Sequence, residues 1–147
     1  LIAANQTLKN NLKTWLLQYK VINDTIDILD ANIANFGINY VVAIDTNADR
    51  FTVINRANRA ITKYLNNNQF DIGESILITD FYKVLQKVKG IIDVIDLEIV
   101  PTSGGMYSDL SYDFIANLTA DGRRIEAKQN TIFELKFPNV DIKGSIT

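Results

Sequence analysis

Three aspartates close together are the residues whose type and spacing could support catalysis in this chain. Asp24, Asp27 and Asp30 follow one another at intervals of three. Paired carboxylates can share general acid and base work when a pocket drives their pKa values apart, and several carboxylate oxygens can hold a divalent cation. In a segment that looks extended, however, a spacing of three sends successive side chains to opposite faces. Because aspartate favours turns and is seldom buried, we interpret the three as a solvated edge or turn.

The composition narrows the chemistry further. Among the 147 residues there is no cysteine and no histidine. Disulfides, thiol nucleophiles and the Ser-His and Cys-His catalytic arrangements are therefore excluded. Carboxylates are the only remaining groups suited to acid and base work near neutral pH, so a carboxylate-dependent hydrolase stays open as an alternative. We predict that the protein is not an enzyme and uses no cofactor, metal or small-molecule substrate.

A basic stripe is the second candidate site. Arg56, Arg59 and Lys63 fall at helical spacing, and Lys83 and Lys87 repeat the pattern on a later segment. Such a stripe could bind phosphate or an acidic protein surface. The formal net charge is -2, whereas a domain that depends on phosphate neutralisation is strongly basic. We interpret the stripe as a solvated helix face that best suits an acidic protein partner, and a small nucleic-acid-binding domain stays open as an alternative.

Two further features receive structural interpretations. The run Ser103-Gly104-Gly105 resembles a phosphate-binding loop only weakly, because no Gly-Lys-Ser or Gly-Lys-Thr comes after it, so we predict a flexible connection. Four aromatic residues, Trp15, Tyr19, Phe36 and Phe51, are expected in the core, since aromatic side chains dominate core burial.

Apolar periodicity predicts the helices that would position these residues. Amphipathic helices are expected over residues 5–19 and 50–66, the second preceded by residues that favour helix caps. A third helix is expected to be capped by Thr79 and closed by Gly90 in the left-handed conformation.

Strands are expected between and after these helices. Alternation predicts a long strand over residues 33–44, in which Gly37 would mark a bulge or bend, and a second strand over 91–100 that Pro101 ends. One shared core is expected to contain Val42, Ile44, Ile54, Ile61, Leu85, Val88, Ile95 and Leu97.

The C-terminal third differs from the rest of the chain in that its sequence pattern predicts strands and turns rather than helices. Strands are expected at about residues 112–118 and 132–137, and Asp121-Gly122 is the strongest hairpin signal. The predicted fold is therefore α+β, a small sheet with about three packed helices followed by a C-terminal β-hairpin extension. In terms of domains, residues 1–101 would form an α/β unit and residues 102–147 a β extension, packed on that unit or on a neighbouring subunit.

The segment from Ile132 to Ile142 is a candidate interface. Large apolar and charged side chains alternate up to Phe137, Pro138 ends regular pairing, and little chain remains to cover the apolar residues beyond the proline. Strand addition to a neighbour would cover the apolar face, and packing on the protein's own sheet is the alternative. The predicted interface residues are Phe133, Leu135, Phe137, Val140 and Ile142, together with Arg56, Arg59 and Lys63.

Five segments in their order along the chain carry a family resemblance. They are Leu12–Lys20, Asp24–Ile33, Phe70–Ile76, Val88–Val94 and Asn130–Gly144. Together they resemble the C-terminal region of baseplate wedge proteins from contractile-tailed phages, the baseplate J-like family, and the last segment resembles the end of the T-even-type wedge proteins. The motifs consist mostly of turn and core residues.

The resemblance implies a structural role. Such proteins associate with copies of themselves, as a dimer or higher oligomer, and with other wedge proteins around the tail hub of the virion. Their assembly takes place in the host cytoplasm. The resemblance brings no catalytic residues. The first residue is Leu1 rather than Met, so we expect a piece of a longer wedge protein. No apolar run approaches the roughly 20 residues that span a bilayer, so no membrane partner is expected.

Overall fold

One long strand, β1 (Asn32–Ile44), organises the sheet in the computed structural model, which describes residues 1–147. The helices are α1 (Gln6–Leu16), α2 (Arg50–Asn67), α3 (Ile78–Gln86) and α4 (Pro138–Asp141), and a 3-10 turn (Leu17–Tyr19) follows α1. The other strands are β2 (Ile76–Leu77), β3 (Ile91–Pro101), β4 (Arg124–Ile125), β5 (Thr131–Glu134) and β6 (Ile142–Ile146). None of the helices combines the length and apolar character needed to cross a membrane.

Strand β1 has partners along both of its sides. On one side β3 pairs with it antiparallel over nearly its whole length. On the other side β5 pairs in parallel with its beginning and β6 with its second half, and α4 lies between them in the chain. Strands β2 and β4 form a separate antiparallel pair. The predicted α+β class is confirmed, and the C-terminal strands are built into the same sheet as β1.

Helices α2 and α3 cover one face of this sheet. Helix α2 packs against β6 and α3, and α3 packs against β3. Asp49 begins α2 by accepting a hydrogen bond from the Thr52 N–H at 2.8 Å, and bonds from Thr52 lower the pKa of the Asp49 carboxyl. The predicted cap at Thr79 is wrong, because α3 already begins at Ile78 and has no side-chain cap.

The predicted core is mostly correct and contains one error. Five of its residues are buried, namely Val42, Ile61, Leu85, Val88 and Leu97, and Ile44 and Ile54 pack against them partly buried. The exception is Ile95, whose side chain is 53% exposed. Val41 pairs with Asp96 but Val42 pairs with Val94, so Ile95 is the extra residue of a β-bulge. The bulge turns Ile95 to solvent and lets Val94 and Leu97 both face the core.

Gly37 has a different role from the predicted one. The irregularities in β1 lie at Val41/Val42 and Ala43/Ile44, not at Gly37. A Cβ at residue 37 would lie 2.9 Å from the Asp141 carbonyl oxygen. Glycine is therefore required there because the backbone before β6 passes directly over β1. Gly90 does have a positive φ of 103°, but α3 ends earlier, at Gln86.

The expected strand over residues 112–118 is absent. The segment forms turns, and only an isolated bridge joins Leu118 to Ile125 across the Asp121-Gly122 turn. Its alternating Tyr112 and Phe114 are buried in an aromatic cluster, with ring centroids 5.1 and 5.8 Å from that of Phe133. Alternation here reflects side-chain packing rather than strand pairing.

Candidate functional site

The N-terminal arm, residues 1–31, exposes an apolar helix face. Asn5 caps α1 through the Leu8 N–H at 2.8 Å, yet no residue of α1 is buried. Trp15 is 54% exposed and Tyr19 69% exposed, with their rings 5.1 Å apart. Of the four aromatic residues predicted in the core, only Phe36 is buried, and Trp15, Tyr19 and Phe51 are corrections.

Exposed apolar side chains continue beyond the helix. The apolar arm surface consists of Leu8, Leu12, Trp15, Tyr19, Val21, Ile22 and Leu29, all of which are exposed. A salt bridge of 2.7 Å between Lys9 and Asp30 joins the two halves of the arm. Single ion pairs of this kind contribute little stability. Seven exposed large apolar side chains within one short segment are typical of protein-interaction sites.

The three aspartates of the arm do not form a shared site. Asp24 accepts a hydrogen bond from the Val21 N–H at 3.1 Å, in a turn where Asn23 has a φ of 75°. Asp30 is bound to Lys9, and Asp27 is exposed. Each carboxylate therefore has its own surroundings, as the turn interpretation predicts. In the chain as a whole, no group of three or more acidic side chains is close enough to hold a metal ion.

The predicted C-terminal interface divides into buried and exposed residues. Phe133 is 2% exposed and Ile142 is 3% exposed, so both belong to the protein's own core. This corrects their prediction as partner contacts, because pairing of β5 and β6 with β1 already covers them. Leu135 and Phe137 are half-buried, and Val140 is 60% exposed.

The structure brings two parts of the predicted interface together. Arg59 and Lys63 on α2 line a groove of about 600 Å³ with Pro138 and Asn139 of α4, and we call it the basic groove. Its lining also contains threonine and further asparagines but no carboxylate. Neither cation forms an ion pair within the chain. Arg56 lies apart, in a separate pocket next to Asp45 and Asp49 toward the N-terminal end of α2.

A buried carboxylate fixes the α4 wall of this groove. Asp141 is 5% exposed and accepts hydrogen bonds from the Phe137 N–H at 3.0 Å and from the Tyr107 hydroxyl. The bond to Asp141 raises the pKa of Tyr107. Sequence reasoning missed Asp141, although a proline followed three residues later by an aspartate is typical of the first turn of a helix.

Tyr40 holds the α2 wall against the sheet. Its hydroxyl donates a 2.7 Å hydrogen bond to Oδ1 of Asn58, a residue that lines the basic groove. Burial raises the pKa of the Tyr40 phenol. Both walls of the groove are therefore anchored to β1, one through Tyr40 and the other through the close approach at Gly37.

The Ser103-Gly104-Gly105 run matches its prediction as a connection. Gly104 and Gly105 have φ values of 76° and 61°, and a Cβ at either would meet nothing within 4 Å. The loop carries no charged side chain that would hold a phosphate.

No protein-family model matches this chain, and no curated protein matches it in a sequence search. The function is therefore inferred from the residues and surfaces of the chain itself.

Proposed function

We propose that this protein is a structural subunit of the baseplate wedge of a contractile phage tail, where it self-associates and binds other wedge proteins. Two lines of support meet in this proposal. One is the resemblance of the five segments to wedge proteins. The other, which carries the proposal, is the apolar arm surface.

The arm gives a physical reason to expect a partner. A helix of 11 residues is only marginally stable by itself in water, and helices in proteins depend mainly on burial of their apolar face. Helix α1 buries none of its residues within the chain. A groove on another subunit would cover Leu8, Leu12 and Trp15 and would stabilise the helix at the same time.

The rest of the protein, residues 32–147, which we call the body, suits the role of a scaffold that carries the arm. Strand β1 pairs with β3 on one side and with β5 and β6 on the other. The first strand of the chain is therefore held in the sheet by the last two strands. A folded body whose apolar arm surface binds a neighbouring subunit can join subunits without catalysing a reaction.

Reconstitution tests the proposal. The chain is mixed with the tail proteins encoded beside its gene, and sedimentation velocity measures complex formation. The double variant Leu12→Ser/Trp15→Ser should lose the complex while its melting temperature stays within about 2 °C, because surface changes rarely alter stability by more than about 0.5 kcal/mol. Lys13→Ser, on the polar face of α1, is the matched control and should retain the complex.

Two results would contradict the proposal. One is that no tail protein forms a complex with the unaltered chain under any condition tested. The other is metal-dependent hydrolysis by the purified protein that Asp27→Ala abolishes.

A further inference from the structure

We propose that copies of this chain associate head to tail, the basic groove of one copy receiving the acidic strand β3 of the next. This inference rests on the proposed function and specifies one contact for the self-association that it includes. It concerns a surface separate from the apolar arm.

Helix α2 and strand β3 carry opposite charges, and each has charged residues of one sign only. Helix α2 carries Arg50, Arg56, Arg59 and Lys63 and no acidic residue. Strand β3 carries Asp93, Asp96 and Glu98 and no basic residue. All three acidic side chains are exposed, and so are Arg59 and Lys63.

The two charged surfaces cannot meet within one chain. Residues 38–42 of β1 pair with β3 on one side and with β6 on the other, so these strands lie at opposite sides of the sheet. The basic groove lies between α2 and α4, both of which contact β6. The acidic strand therefore faces away from the groove of its own chain and can reach only the groove of another copy.

The acidic side of β3 is built for side-chain contact. Asp93 and Asp96 accept hydrogen bonds from the N–H groups of Val94 and Leu97 at 2.8 and 2.9 Å. These bonds fix the two carboxylates beside the strand and occupy donors that a β-strand partner would need. A partner is thus expected to bind the carboxylates of β3 rather than to add a strand beside it.

The groove offers the donors that a carboxylate requires. Arg59 and Lys63 supply two cations, and asparagine amides such as those of Asn55 and Asn66 supply neutral donors. Charged donors make the stronger hydrogen bonds to carboxylates, and an arginine can bind one through two parallel bonds. Exposed apolar residues also adjoin both surfaces, Val140 beside the groove and Ile95 between Asp93 and Asp96.

A contact between two different surfaces has a geometric consequence. It is not self-complementary, so repetition yields a closed ring or an open filament rather than a two-fold dimer. Each copy in such an assembly uses one groove and one acidic strand.

Charge reversal distinguishes this contact from every other mode of self-association. One variant is Arg59→Glu/Lys63→Glu and the other is Asp96→Lys/Glu98→Lys. Each alone should weaken self-association about tenfold or more in sedimentation equilibrium at low salt, because like charges then face each other. An equimolar mixture should restore association, because both kinds of contact between the two variants join opposite charges. The altered groove then faces the altered strand, and the unaltered groove faces the unaltered strand.

Matched controls guard against general charge effects and misfolding. Arg56→Glu reverses a charge on the same helix outside the groove, and Asp109→Lys reverses an exposed aspartate outside β3. Both should associate as the unaltered chain does. Restoration in the mixture also demonstrates that both double variants fold.

The outcomes separate this inference from the proposed function. If the chain self-associates and neither reversal weakens it, or if the mixture fails to restore association, the head-to-tail contact is overturned. Complexes with neighbouring tail proteins would then still support the proposed function. If the unaltered chain stays monomeric at all concentrations tested, the contact is overturned together with the self-association in the proposed function, and reconstitution then tests only the binding of other wedge proteins.

Discussion

Helices α1 and α2 have similar sequence patterns but very different surroundings. Each has an apolar stripe, and each begins with a side-chain cap at 2.8 Å, from Asn5 to Leu8 and from Asp49 to Thr52. Helix α2 buries Val53, Ala57 and Ile61, whereas α1 buries none of its residues. An amphipathic pattern therefore specifies which face of a helix seeks a partner but not where that partner is.

The difference arises from the C-terminal strands. Strand β6 widens the sheet beyond β1, and α2 packs on it. Helix α1 precedes β1 in the chain and is joined to it by the segment that contains Asp24 and Asp30. The apolar face of α2 is thus buried within the body, whereas the apolar face of α1 is left exposed.

The largest contrast is expected from a charge placed on each helix. Ile61→Asp would bury a carboxylate at a position with 0% exposure and should cost several kcal/mol, enough to unfold a domain of ordinary stability. Leu12→Asp places the same charge on the arm, at a residue that is 44% exposed, and should cost less than about 0.5 kcal/mol. Thermal unfolding followed by circular dichroism measures both. Similar midpoints for the two variants would remove the distinction between body and arm.

A smaller effect is expected where β6 passes close to the ring of Tyr40. A Cβ at residue 144 would overlap the ring of Tyr40, the residue that connects the sheet to α2. Gly144→Ala should therefore cost about 1–3 kcal/mol through overpacking, measured by urea unfolding. Ser145→Ala, on the same strand, is the control and should cost less. An unchanged midpoint for Gly144→Ala would mean that β6 can move away from Tyr40 without loss.

The smallest effect concerns the contact between α2 and α3. Tyr64 donates a 3.2 Å hydrogen bond to Asp80, and burial, followed by the Asp80 charge, raises the pKa of Tyr64 to about 12. Because the folded state resists ionisation of this phenol, its contribution to stability is complete below the unfolded pKa of 10.0 and is lost as pH rises toward 12.

Urea midpoints at pH 8 and pH 11 test this expectation. The unaltered chain should lose more stability between the two values than Tyr64→Phe does. Equal losses would show that the link between α2 and α3 does not depend on this phenol. Helix α1 has no comparable side-chain link to another helix, so the result sharpens the contrast between body and arm.

The sequence predicted local structure well because local structure depends on nearby residues. The start of α2, the extent of β1 and the inward face of α3 all follow from caps and periodicity. The bulge at Ile95 was not predictable, because it depends on the register between β1 and a strand some fifty residues away. Exposure of Trp15 was missed for the same reason, since an aromatic residue is buried only where a second surface meets it.

The candidate surfaces were predicted in part. Arg59, Lys63 and Val140 were identified from spacing and composition, and they remain exposed. The meeting of Arg59 and Lys63 with Asn139 depends on the parallel pairing of β6, which leaves no local trace in the sequence. Phe133 and Ile142 were assigned to a partner because an apolar strand near the chain's end has the same pattern in either setting.

The pairing of β1 with β6 also governs when the chain can fold during synthesis. Ile38 lies opposite Ile142, about a hundred positions later, and translation at roughly 5–20 residues per second needs roughly 5–20 s to cover that interval. Until then the second half of β1 has no partner on that side, and α2 has no complete surface to pack on. Chains that end before residue 142 would therefore expose unpaired strand backbone to chaperones and proteases.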